Sequence, residues 1–324
     1  MSEIRDPNTI VDRRYDFVFL FDVTDGNPNG DPDAGNLPRL DPQTLQGFVT
    51  DVCIKRKVRN AVAAFGQNAP GTNLYFQTQD AVYEDRILNL QHQKAHDALK
   101  EQGDAPDKDT ADAKKKADTT AKARTWMCQN FYDIRAFGAV MTTGVNCGQV
   151  RGPVQLTFAR SIDPIVPMEI SITRKSVTTP DEAEKQAKAD GSITGTMGRK
   201  NTIPYALYRG FGFINPLLAA DTGFTYGDLR LLLESFIQMF ELDRSASRGL
   251  MTMRKIVLFE HESRLGNAPA HLLFDRVKVP ALGAERAPRD YSQYSFTVDR
   301  SDLPTGLAVY ELPEEWQKLF PSNG

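Results

Sequence analysis

The chain has 324 residues, of which 40% are hydrophobic, 25% charged and 9% aromatic, the profile of a globular protein that can build a core without disulfide or metal staples. Its 39 Lys and Arg against 42 Asp and Glu give a net charge of −3, which excludes a uniformly basic nucleic-acid coat but permits a local basic surface. The longest apolar runs, such as Phe17 to Phe21, are far too short to cross a bilayer.

The opening residues Met1 to Pro7 carry no apolar signal core, so a cytoplasmic location and no membrane partner are expected. Cys53, Cys128 and Cys147 are odd in number and widely spaced, which points away from a disulfide framework or a cysteine zinc site.

In chain order, a first strand is expected over Asp16 to Val23, where Phe17-Val18-Phe19-Leu20-Phe21 runs continuously apolar. It ends in Thr24-Asp25-Gly26-Asn27-Pro28-Asn29-Gly30-Asp31-Pro32-Asp33, too rich in breakers for a regular element. Asp41-Pro42 predicts a helix start running to about Phe65, with Ile54, Val58, Val62 and Phe65 as its buried stripe. Gly66 to Asn130 reads as an insertion with a helix around Ile87 to Glu101 and a polar tract from Gln102 to Ala123. Strands are expected at Ile134 to Met141, Val154 to Ser161 and Met168 to Thr173, followed by a polar excursion from Lys175 to Asn201. A strand over Ile203 to Ile214 then leads to an amphipathic helix over Tyr226 to Leu242, with Leu229, Leu232, Leu233, Phe236, Ile237 and Phe240 inward. Strands at Leu250 to Glu260 and Tyr291 to Val298 complete the pattern. The order strand, helix, strands, helix, strand is that of a ferredoxin-like or RRM-like core, so the fold class is α+β.

Charge is unevenly spread. Met1 to Asp51 holds ten acids and four bases. Three stretches contain no acid: Val52 to Phe65 with Lys55, Arg56, Lys57 and Arg59; Gly191 to Phe213 with Arg199, Lys200 and Arg209; Arg244 to Ile256 with Arg244, Arg248, Arg254 and Lys255. One basic groove in an acidic chain would produce this pattern, and so would scattered solvated faces.

Arg209-Gly210-Phe211-Gly212-Phe213-Ile214 matches the RRM signature whose strand aromatics stack on RNA bases, with Pro216 in place of the final aromatic and Phe19 as a candidate partner. Gly195-Thr196-Met197-Gly198-Arg199-Lys200 resembles a GxxG phosphate clamp. Asp25, Asn27, Asn29 and Gly30 match half of an EF-hand loop, but Asn36 stands where the bidentate Glu is required. Asp25, Asp31 and Asp33 could hold Mg²⁺ for phosphodiester cleavage, although such loops carry Asp for conformational reasons alone. His92 and His96 have metal-ligand spacing; Gln93 in place of the catalytic Glu leaves them as a solvated pair on a polar helix.

Several further motifs fit one family. They are Asn27-Pro28-Asn29-Gly30-Asp31-Pro32, Lys55-Arg56-Lys57-Val58-Arg59-Asn60, Asp133-Ile134-Arg135-Ala136-Phe137-Gly138, Arg151-Gly152-Pro153-Val154-Gln155, Pro204-Tyr205-Ala206-Leu207-Tyr208 and Asp243-Arg244-Ser245-Ala246-Ser247-Arg248-Gly249. Together they resemble the backbone subunit of the CRISPR Cascade surveillance complex, closest to the type I-C form.

The resemblance implies a modified ferredoxin-like/RRM-like palm (1–65, 131–174, 202–324), an inserted helical finger region (66–130) and an extended thumb hairpin (175–201). It implies a non-enzymatic subunit without cofactor or metal that polymerises head to tail along a guide crRNA and presents it to a target DNA strand. Implied partners are further copies of the chain, the crRNA-processing RAMP subunit, and large and small Cascade subunits. Implied RNA contacts are Lys55, Arg56, Lys57, Arg59 and Asn60 on the first helix, Arg135 and Arg151, Met197, Arg199 and Lys200 on the thumb, and Arg244 and Arg248. The alternatives are an Mg²⁺-dependent RNase built on the Asp25, Asp31 and Asp33 loop, or a stand-alone RRM-like RNA-binding protein.

Overall fold

The computed structural model describes residues 5–66, 70–77, 87–101, 113–190, 196–283 and 286–321. The elements that build its frame are β1 (Tyr15–Gly26), β2 (Gln46–Val49), α1 (Asp51–Phe65), α2 (Leu88–Glu101), α3 (Ala113–Asn130), α4 (Tyr132–Phe137), β3 (Gly138–Met141), β4 (Gly148–Arg151) and β5 (Ala159–Pro164). They continue with β6 (Met168–Arg174), β7 (Thr196–Ile214), α5 (Tyr226–Leu242), β8 (Leu250–His261), α6 (Ala270–Phe274) and β9 (Leu307–Leu312). The class is mixed α+β around one large antiparallel sheet in the order β9-β8-β1-β7-β5-β2.

β1 lies in the middle of that sheet, between β7 and β8, and is covered on both faces. That position explains its unbroken apolar run, because neither set of alternating side chains meets water. Phe17, Phe19 and Phe21 turn toward α1 and α5, where Phe236 meets Phe17 edge-on at 5.6 Å and Phe19 at 5.4 Å. Val18 and Leu20 turn to the other face, against residues of the segment after β8. Each buried aromatic or aliphatic side chain contributes on the order of 2 kcal/mol of transfer free energy.

The register of β1 on β7 explains the glycines of the RRM-like signature. Gly210 faces Phe19 and Gly212 faces Phe17 across the ladder. A Cβ on Gly210 would lie 2.2 Å from the Phe19 ring, and one on Gly212 2.0 Å from the Phe17 ring. These glycines make room for two phenylalanines. Phe19 is thereby a core residue and no RNA-stacking partner. Phe211 points to the opposite face, where its ring stacks on Phe274 of α6 at 4.5 Å. The aromatic platform expected from the motif is roofed by the protein itself.

Other expectations shift in instructive ways. Asp41 does cap a turn, accepting from the backbone N–H groups of Gln43 at 3.0 Å and Thr44 at 3.3 Å, but the chain then forms β2 before Thr50 caps α1. The run Ile134–Met141 is the end of α4 followed by β3, and Val154–Ser161 is split between a three-residue strand and β5. Met168–Thr173 belongs to β6, which is exposed throughout because among the described residues it pairs only with the projecting end of β7, Thr196–Thr202. The hairpin enclosing the expected 175–201 excursion therefore begins at Met168. Tyr291–Val298 is a 3-10 turn and a two-residue ladder, and the edge strand is β9 instead.

In the inserted region, α2, α3 and the β3–β4 hairpin share a second small core with Tyr75, Leu99, Met127, Phe131 and Met141. His92 is buried there, beside the Tyr75 hydroxyl at 2.8 Å, so it is a packing residue and not half of a solvated pair. Of the polar tract, residues 102–112 lie outside the described residues and the remainder is helical. The three cysteines are free. Among the described residues no helix is long and apolar enough to cross a membrane.

Candidate nucleic-acid interface

Three separate sequence motifs meet at one cleft of about 390 Å³: the loop after β1, the first two turns of α1, and the loop between α5 and β8. The backbone N–H of Asn27 donates to the Ser247 carbonyl at 2.8 Å, joining the first and third segments. At Gly26 the two segments pass so closely that a Cβ would sit 1.9 Å from the Arg248 carbonyl oxygen, which requires glycine there. The Asn27 side-chain amide donates to the Asn36 carbonyl at 2.7 Å and closes the breaker-rich loop. Asn29 accepts from both the N–H and the hydroxyl of Thr50 at 3.0 Å, fixing the loop against the start of α1. Thr50 in turn caps the helix by accepting from the Cys53 N–H at 3.3 Å. The N-terminal end of a 15-residue helix, with its partial positive charge, thus borders the cleft.

The lining carries Arg56, Lys57 and Arg248. Asp243 lies between two of them, 2.7 Å from the Lys57 ammonium and paired with Arg248. Burial alone would raise the Asp243 carboxyl, but these cations outweigh it and hold the carboxyl below its ordinary value. Burial lowers the Lys57 ammonium against the pull of Asp243. Lys57 is only 1% exposed, so the cations that face the cleft are Arg56 and Arg248; against Asp243 they leave it positive in an acidic chain, the arrangement that receives phosphate.

The structure separates the other candidates by where they point. Arg56 is exposed in the cleft, whereas Lys55, one residue earlier, is tied to Asp51 at 3.0 Å. Asn60 is half-buried. Arg59 is only 9% exposed and ion-paired at 2.8 Å to Asp133, whose carboxylate also accepts from the backbone N–H groups of Tyr75 and Phe76. Arg135 is buried likewise. It donates to Asp228 at 2.7 and 2.8 Å and to the carbonyls of Cys128 and Gly71, so its guanidinium is consumed as a strut between α4, α5 and the inserted region. Neither Arg59 nor Arg135 reaches an outer groove, contrary to expectation. Both are packing arginines, because a buried arginine must be matched by carboxylate and carbonyl partners.

Arg151 is exposed on β4. Met197, 72% exposed, projects from the β6–β7 hairpin, where Arg199 meets Glu169 at 3.2 Å and Lys200 is half-buried. Gly195, the first glycine of the GxxG motif, lies outside the described residues; Gly198 pairs with Ile172 in the hairpin ladder. Arg244 is paired with Glu241 on the last turn of α5 and donates to the Met251 carbonyl at 3.4 Å. Asp31 caps a 3-10 turn and pairs with Arg39 at 3.2 Å. Among the described residues no group of three His, Cys, Asp or Glu side chains is placed to hold a metal, so Asp25, Asp31 and Asp33 do not form such a cluster.

Asn27, Asn29, Thr50 and Ser247 shape the cleft without having been singled out for it. Asn and Thr beside a helix start are a capping signal, but the partners lie 21 residues apart or more.

Comparison with known proteins gives a consistent set of likenesses. The family model described as CRISPR-associated protein Cas7 matches residues 13–299. A protein of Haloferax volcanii described as CRISPR-associated protein Cas7 is 49% identical over 47 residues, a stretch that spans only 14% of this chain and 14% of that relative. A chain of a solved CRISPR RNA-guided surveillance complex in a pre-nicking state aligns over 76% of this chain and 78% of its own, with 13% identity and a TM-score of 0.45. A chain of another CRISPR RNA-guided surveillance complex aligns over 76% and 68%, with 14% identity and a TM-score of 0.40. On the strength of the family match over residues 13–299, this chain belongs to the CRISPR-associated protein Cas7 family.

Proposed function

We propose that the protein is a crRNA-binding backbone subunit of a CRISPR Cascade surveillance complex of the type I-C form, without catalytic activity of its own. The observation that carries this reading is the convergence of three basic or loop-forming motifs on one positive cleft. Guide phosphates meet Arg56 and Arg248 at the helix N-terminus, while the buried Lys57 holds Asp243 beneath them. Contacts of this kind hold the backbone and carry no sequence information, leaving the bases free to pair with target DNA.

Copies stack head to tail along one guide, since a heterologous contact that does not close generates a filament. Met197, Arg199 and Lys200 of the β6–β7 hairpin insert between base segments held by neighbouring copies, a reading supported by the exposure of Met197 and Arg199. Arg151 and Arg244 sit on exposed surface suited to the RNA or to the next subunit. A large subunit, small subunits and the crRNA-processing RAMP subunit complete the assembly, which acts in the cytoplasm.

The test is fluorescence anisotropy of labelled single-stranded RNA across a salt series. Each phosphate contact to a single strand contributes about 0.7 to the slope of log K against log salt. Arg56→Gln with Arg248→Gln is expected to lower that slope by about 1.4 and weaken binding. An unchanged slope in a folded variant would remove the cleft from RNA binding.

A further inference from the structure

On the sheet face away from α1 and α5 lies a second cavity, of about 650 Å³. Its floor is unusual for an antiparallel sheet. Arg160 of β5 and Arg209 of β7 stand directly opposite one another in the ladder, and Phe48 of β2 stands opposite Arg160 on its other side. Residues facing one another in this way project to the same face, so both guanidinium groups rise from one floor, and like charges placed opposite one another in a ladder are unfavourable.

The described carboxylates offset these charges only weakly. Arg160 touches Asp41 at 3.3 Å through a half-exposed side chain, a contact worth little in water. Arg209 has no ion pair among the described residues and feels Asp275 only at a distance; burial pushes its guanidinium below the ordinary arginine value. Beside the two arginines, Phe158 is 49% exposed and lies parallel to Phe48 with ring centroids 5.9 Å apart. Phe211 lines the same cavity under the Arg209 guanidinium, 5.6 Å from ring centre to Cζ.

We propose that this cavity is a second nucleic-acid site, distinct from the α1 cleft, that takes one phosphate–base unit of a single strand. The phosphate bridges Arg160 and Arg209, and the base stacks on the open face of Phe158. Paired arginines fit phosphate oxygens through parallel N–H donors, and an exposed ring accepts any base, so the site is sequence-tolerant. Gln46 lines this cavity and Thr50 lines the α1 cleft, four residues apart along β2 and the start of α1. A strand held in one site therefore has the other nearby. An acidic protein segment is the competing occupant, but it would leave the exposed aromatic pair without a role.

The test uses the full chain carrying Arg56→Gln and Arg248→Gln, which vacates the first cleft, with a fluorescent octauridylate bearing 5-iodouridine as the probe. Crosslinks are expected in residues 157–162 and 209–211. Adding Arg160→Gln and Arg209→Gln is expected to lower the salt slope by a further 1.4 or so, while Arg160→Lys with Arg209→Lys retains it. Phe158→Ala is expected to weaken binding roughly tenfold. Thermal melting confirms that each variant is folded.

The proposal is overturned if crosslinks avoid these segments, if the slope ignores both arginines, or if AMP binds as tightly as the octamer. It is also overturned if the arginine variants lose only self-association or protein partners. Retention of the full slope on vacating Arg56 and Arg248 would count against the α1 cleft alone, so the two readings fail separately.

Discussion

Arg56 and Arg59 lie three residues apart on α1, and their substitution by alanine should do opposite things. Arg59 is paired at 2.8 Å with Asp133, which has no exposed surface, and its guanidinium lies 5.1 Å from the Phe76 ring and 5.3 Å from that of Phe137. Arg59→Ala leaves a buried carboxylate with only two backbone donors, a change that costs about 3–5 kcal/mol. Arg56 is exposed, so Arg56→Ala should stay within about 0.5 kcal/mol of the parent.

The RNA readout should reverse the order. Arg56→Ala lowers the salt slope of RNA binding by about 0.7, and Arg59→Ala leaves it unchanged in the folded protein. Urea denaturation followed by circular dichroism gives the first quantity, and anisotropy of labelled single-stranded RNA across a salt series gives the second. Combining Arg59→Ala with Asp133→Ala should cost less than the sum of the two single changes, because the buried charge is then gone. An Arg59→Ala protein as stable as the parent but with a reduced slope would refute the assignment of Arg59 to the scaffold.

Gly210→Ala should destabilise by about 1–3 kcal/mol through collision with Phe19, measured in urea, without altering RNA affinity of the folded fraction. Phe211→Ala should leave the α1 cleft's RNA affinity unchanged, because its ring is committed to Phe274; loss of guide binding in a folded Phe211→Ala protein would restore the stacking role its motif suggests. Since the Asp243 carboxyl is held below its ordinary value, the unfolded chain binds its proton more readily than the folded one. Its contribution to stability is present above about pH 4 and lost as pH falls further, so Asp243→Asn should flatten the acid limb of a urea-midpoint profile between pH 6 and 3. Glu169→Ala should change stability by no more than about 0.5 kcal/mol, as expected for an exposed pair with Arg199, and a larger urea shift would show that the hairpin depends on it.

The frame was legible wherever one element carries its own pattern. Helix α5 shows its apolar stripe at helical spacing, and β1 announces two-sided burial by an unbroken run. Short mixed runs were not, since Ile134 to Met141 has the same apolar density whether it is strand or, as found, helix and then strand. Asp41 misled for a physical reason: an Asx turn and a helix cap use the same side-chain acceptor.

In the candidate site, the motifs that meet were visible as motifs, but the direction of each cation was not. Arg59 finds Asp133 74 residues away and Arg135 finds Asp228 93 residues away, pairings that no local spacing encodes. The two glycines of the RRM-like signature carried the right signal, close approach of another group, attached to the wrong partner. Arg209 sat in an acid-free stretch and Arg160 outside every motif; only strand register brings them together.

Copies of this protein are proposed to polymerise along a guide RNA held in the α1 cleft. Native mass spectrometry of the purified chain with single-stranded RNAs of increasing length, in Mg²⁺, tests it most directly. If copies polymerise along the guide, the number bound climbs stepwise with RNA length while the RNA stays whole. One or two copies at every length, or RNA shortened during the measurement, would contradict it.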